Sequence, residues 1–197
     1  MYKKQLQFQK IICLLCVIAA AIMFVYSLGI LTEIYDGLYL ATDPKKPTED
    51  GRVAGSTIYY QMQQFNNELV VAGIALILLA ALLFVMNTHI RRKYYISNYI
   101  SVGLYSAAAI AVTVWSHLQI EAYKHQYLTT VDFETLKELC EMKNKPFIQS
   151  TLMLDLHYVV AGVLLVSAVA LVANMIWKIA LMREEEALIN VGKEVAV

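Results

Sequence analysis

Four stretches of the chain, 11–31, 69–88, 100–116 and 158–177, contain no Asp, Glu, Lys or Arg. Each approaches the roughly 20 residues a helix needs to cross about 30 Å of hydrocarbon at about 1.5 Å per residue. The pattern predicts four transmembrane helices. Between the first and second stretches, Ile34, Leu38 and Ala41 keep a helical spacing until Asp43, Pro44 and Pro47 break it. Gly55 and Ser56 offer a helix start and an N-cap, after which Ile58, Met62, Phe65 and Leu69 line one face leading into the second stretch.

The second half follows the same plan. Positions 119–128 prolong the third stretch, and a short helix over 132–143 sets Phe133, Leu136 and Cys140 against Glu134, Lys137, Glu138 and Glu141. Such an amphipathic segment should lie on the helices or on the membrane surface. Pro146 then opens a run that feeds the fourth stretch without a breaker.

The likeness of the two halves extends to residues. Val70, Val71, Ala72 and Gly73 recur as Val159, Val160, Ala161 and Gly162; Ala19, Ala20, Ala21 and Ile22 recur as Ala107, Ala108, Ala109 and Ile110; Tyr35, Tyr39, Leu40 and Thr42 recur as Tyr123, Tyr127, Leu128 and Thr130. All three echoes run in order at an offset of 88 or 89. This is the signature of tandem duplication. The expected fold is therefore an all-α integral membrane protein of two duplicated helical hairpins, 1–93 and 94–197, with helices extended on the outer side and a tail on the inner side.

Composition agrees, since 59% of the residues are hydrophobic and only 16% charged, with mean hydropathy +0.54, too apolar for an ordinary soluble domain. Charge sets the orientation. Segments 1–10, 89–99 and 178–197 carry nine Lys or Arg in 41 positions, Arg91, Arg92 and Lys93 among them, whereas 32–68 and 117–157 carry seven in 78. The denser set belongs in the cytoplasm, so both termini are expected inside a cytoplasmic membrane. The zero net charge thus hides a dipole of +5 inside and −5 outside. It gives a soluble nucleic-acid role no support. Tyr94, Tyr95, Tyr99 and Trp177 on the inner side, and Tyr26, Trp115 and Tyr158 on the outer, read as interfacial belts.

The stretches contain no ionisable group at depth, as ion-coupled transporters, proton relays and voltage sensors require. Phosphate loops and nucleophile elbows are also missing from the sequence. Cys13 and Cys16 have redox-motif spacing, but hydrocarbon keeps both thiols neutral. Their expected role is that of small apolar residues.

Two constellations carry candidate function. His117, Glu121 and His125 fall at i, i+4 and i+8 of a continuing third helix, with Asp155 and His157 at the mouth of the fourth. Neutral imidazole and carboxylate in that arrangement suit Zn²⁺ or another divalent ion. Gly103, Ala107 and Ala111 form a small-residue seam suited to close helix approach, either within the chain or against a partner. The leading expectation is a non-enzymatic accessory or scaffolding subunit of a larger membrane assembly, in contact with lipid and with another membrane protein or a second copy. The alternatives are a self-assembled pore or carrier, and a metal-dependent membrane protein using the outer His/Glu cluster.

Overall fold

A computed structural model describes residues 2–88 and 94–195. Arg91, Arg92 and Lys93, central to the expected orientation, and His89 lie outside the described residues, as does the proposed hairpin boundary at 93. The described chain is helical, with turns and irregular connections: α1 (Tyr2–Gly29), α2 (Thr32–Ala41), α3 (Ile58–Asn87), α4 (Ile96–Thr130), α5 (Phe133–Met142), α6 (Leu152–Asp155) and α7 (His157–Val195). Four of them are long and apolar enough to cross a membrane, over Lys3–Gly29, Ile58–Asn87, Ile96–Thr130 and Leu152–Ile189.

Two of these helices are interrupted where the sequence pattern predicts continuity. The first breaks at Ile30 and Leu31 before α2 starts. Gly29, a poor helix former, sits at that end. The run after Pro146 does not enter the fourth helix directly either: 145–151 is irregular, α6 makes one turn, and Leu156 separates it from α7. α4, by contrast, is unbroken across its 35 residues.

The chain divides into two compact units. The first comprises Met1–Ala21, Ala75–Ala111 and Val163–Val197. Cys13 and Cys16 are fully buried in it. The Tyr105 hydroxyl donates to the Cys16 carbonyl at 3.0 Å and lies 3.2 Å from Ser167 Oγ, while Cys16 Sγ points at the Ser167 carbonyl, 3.8 Å away. These contacts join α1, α4 and α7.

The same unit contains a buried polar network that the sequence pattern does not announce. Gln9 Nε2 donates to the Asn87 carbonyl at 2.5 Å, Asn87 Nδ2 to Ser101 Oγ at 2.8 Å, and Gln5 Nε2 to Asn174 Oδ1 at 3.3 Å. Lys178, fully buried, donates to Gln5 Oε1 at 3.3 Å and lies 5.5 Å from the centre of the Tyr94 ring. Where no water is available, polar side chains must satisfy one another, which fixes the register of α1, α3, α4 and α7 in this unit.

The second unit comprises Ile22–Ile74 and Val112–Gly162. α5 packs on α2 and buries Leu136, Leu139 and Cys140. Asp132 caps α5 by accepting from the Thr135 amide at 3.2 Å and hydroxyl at 2.7 Å. Gly37 makes room for this layer, since a Cβ there would stand 2.9 Å from the Phe147 ring. At the start of α3 the capping group is Asp50 rather than Ser56. Its carboxylate accepts from the Gly55 amide at 2.9 Å, the Thr57 amide at 3.1 Å and the Thr57 hydroxyl at 3.0 Å. The Gly55 amide, then the Thr57 groups, hold that carboxyl below its ordinary value. Ser56 Oγ instead accepts from the Gly51 amide at 2.9 Å.

The paired glycines of the echo have different surroundings. A Cβ on Gly73 would meet the Phe24 backbone at 3.0 Å, whereas one on Gly162 would meet nothing within 4 Å. The seam residues Gly103, Ala107 and Ala111 all lie on the exposed face of α4.

Candidate metal centre

The site belongs to the second unit. α4 runs straight through it and carries His117 and Glu121 one turn apart, so both side chains project from the same side. Opposite them, the break at Leu156 makes His157 the first residue of α7. This break places a histidine where a continuous helix would have needed another register. His157 is buried, while His117 and Glu121 are half-buried.

The ligand atoms of His117, Glu121 and His157 all lie within 4.8 Å of one another. His117 Nδ1 stands 2.9 Å from His157 Nε2, which is 3.8 Å from Glu121 Oε1. Two donors bound to one ion at about 2.0–2.2 Å can be no more than about 4.4 Å apart, so these two spacings can be bridged by a single ion.

Hydrogen-bond accounting fixes the tautomer. His157 Nδ1 lies 2.5 Å from the Leu154 carbonyl, an acceptor only, so Nδ1 carries the proton and donates. In the neutral ring Nε2 then presents its lone pair toward His117 and Glu121. Orientation of a ligating imidazole by a backbone carbonyl on its other nitrogen is the usual outer support of a metal site. With Nε2 an acceptor, His117 Nδ1 supplies the proton of the 2.9 Å contact. Moving that proton to the other ring nitrogen of His117 exposes a second lone pair with no net proton release.

Tyr158 completes the cluster. Its hydroxyl donates to Glu121 Oε1 at 2.7 Å, and its ring lies 4.0 Å from that of His157 and 5.7 Å from that of His117, centre to centre. The sequence pattern assigns Tyr158 to an interfacial belt; only the approach of α4 to α7 reveals its bond to Glu121.

The remaining expected ligands are placed elsewhere. His125 is exposed, its direction rotated about 80° from that of His117 because eight residues overrun two turns. Asp155 pairs with Lys124 and accepts from the Thr151 hydroxyl at 2.8 Å. The structure thus brings together three of the five candidate residues. No protein-family model, curated protein or solved structure matches the chain.

Proposed function

We propose that this chain is a multi-pass membrane protein that holds one divalent ion of the zinc class through His117, Glu121 and His157. The observation that carries this reading is the orientation of His157: a buried imidazole whose Nδ1 is committed to Leu154 and whose Nε2 faces a second imidazole and a carboxylate. Two imidazoles and one carboxylate suit zinc, with a fourth position left for water or a partner's donor. The ion ties α4 to α7 within the second unit and supplies positive charge beside Glu121. With Glu121 a ligand and Asp155 paired to Lys124, the role we assign to the ion is to join α4 to α7. Elemental analysis of protein purified without chelator is expected to give about one zinc-class ion per chain. Metal-free protein that takes up none on titration would overturn the proposal.

The second reading, compatible with the first, is an accessory subunit of a larger membrane assembly. It is favoured by the outward position of Gly103, Ala107 and Ala111: all three are exposed, and a Cβ on Gly103 would meet nothing within 4 Å among the described residues. Ala107→Leu is expected to weaken recovery of a membrane partner, or of a second copy, by about tenfold, a loss of about 1.4 kcal/mol. Unchanged recovery would remove the seam from the contact, and self-association alone would favour the pore or carrier.

Within this proposal the membrane is cytoplasmic, both termini are inside, and the three in-order echoes mark a duplicated hairpin. The native outer cysteine is a poor probe of that orientation, because Cys140 is buried and its thiol is pushed up by desolvation. Lys45, exposed in the turn between α2 and α3, is better placed. Lys45→Cys is expected to react with a membrane-impermeant maleimide in intact cells. Reaction confined to inverted vesicles would reverse the topology.

A further inference from the structure

A cavity in the same unit lies on the other side of α4 from the candidate metal centre. Trp115, Gln119 and Tyr123 line it from α4, and two residues of helix separate these positions from His117 and Glu121 by about 200°. Gln61, Gln64, Phe65 and Glu68 line it from α3. The volume, about 290 Å³, suits a small molecule or a lipid headgroup.

Its lining combines three aromatic rings, three glutamines and one carboxylate. The Phe65 ring is inclined at 51° to Trp115 and at 46° to Tyr123, with centres 5.3 Å and 5.5 Å apart, so the three rings form a bent wall rather than a flat stack. Aromatic faces carry negative quadrupole density. Among the described lining residues Glu68 is the one acidic side chain and none is Lys, Arg or His; Gln64 donates to Glu68 at 3.4 Å. Gln61 contributes acceptors: its backbone carbonyl takes the Tyr123 hydroxyl at 3.4 Å and its amide oxygen takes Gln126 Nε2 at 3.3 Å. A carboxylate and three rings, with no cation among the described lining residues, disfavour anions and attract a bulky, weakly hydrated cation.

We infer that this cavity binds an organic ammonium ion, with Glu68 as counter-ion and Trp115, Phe65 and Tyr123 as the aromatic wall. The ammonium can arrive as a free solute or as a lipid headgroup. Two probes distinguish these sources: choline chloride, and vesicles of phosphatidylcholine set against phosphatidylglycerol.

The experiment uses the full chain with Trp177→Phe, which leaves Trp115 as the sole tryptophan. The solubilising detergent is a polyoxyethylene ether, carrying neither sugar nor ammonium. Choline chloride should shift Trp115 emission saturably, with no response to equimolar sodium chloride or to glucose. Glu68→Gln, an isosteric change at an exposed position, should weaken binding by about tenfold. A response to phosphatidylcholine vesicles alone, weakened equally by Glu68→Gln, assigns the same chemistry to a headgroup. Silence toward both probes, an equal response to glucose, or binding indifferent to Glu68→Gln overturns the inference. None of these variants touches the three metal ligands, so failure here leaves the metal reading standing.

Discussion

Zinc affinity is expected to fall by roughly 100-fold in His157→Ala and to be unchanged in His125→Ala. The magnitude follows from apparent zinc-binding energies of about 10–16 kcal/mol shared among four ligands, or about 3 kcal/mol for each. Of the three proposed ligands His157 is the most fully prepared, because its ring is buried and its Nδ1 is held by the Leu154 carbonyl. His125 is exposed and outside the converging group. Competition against a chromophoric chelator measures both variants. Equal losses would show that the imidazoles act as a diffuse surface cluster rather than as a site with defined members.

The second large effect is on stability. Gly55 has φ +75°, and a Cβ there would lie 2.5 Å from the Thr130 carbonyl oxygen and 2.9 Å from the Val131 amide nitrogen. Both neighbours are backbone, pinned nearby by the 3.2 Å bond from the Asp132 amide to the Ala54 carbonyl. Gly55→Val therefore adds left-handed strain of about 1–2 kcal/mol and overpacking of about 1–3 kcal/mol. A total of about 3 kcal/mol corresponds to a more than 100-fold rise in the open population. The buried thiol of Cys140 reports it: its reaction with a hydrophilic maleimide in detergent accelerates accordingly. Gly103→Ala, where a Cβ meets nothing, is the matched control and leaves the rate unchanged. A wild-type rate in Gly55→Val would refute the packing of 53–57 against 130–132.

The long helices were legible because charge-free runs of membrane length admit few other structures. α5 was legible as well: Leu136 and Cys140 are buried and Glu134, Lys137, Glu138 and Glu141 exposed, as the amphipathic spacing predicts. Breaks at Ile30–Leu31 and Leu156 were not, since apolar periodicity continues across both and no proline marks either. The polar ends of the first unit misled for a different reason. Gln5, Gln9 and Lys178 look like solvated flanks in one dimension, and only the convergence of four helix segments makes them a buried network.

The candidate site divides in the same way. His117 and Glu121 are neighbours by helical geometry alone. Their meeting with His157, 40 positions away from His117, depends on how α4 and α7 approach, and the helix phase that joins Glu121 to His117 turns His125 aside. Asp155 reads equally well as a ligand or an ion-pair partner until Lys124 is placed beside it.

X-ray absorption at the zinc edge, on wild-type protein loaded with one equivalent of zinc, tests the central claim most directly. A first shell of light atoms at about 2.0–2.2 Å is expected, with the outer scattering of two imidazoles that is lost in His157→Ala. A sulfur shell at about 2.3 Å, or a hydrated ion without imidazole scattering, would contradict it.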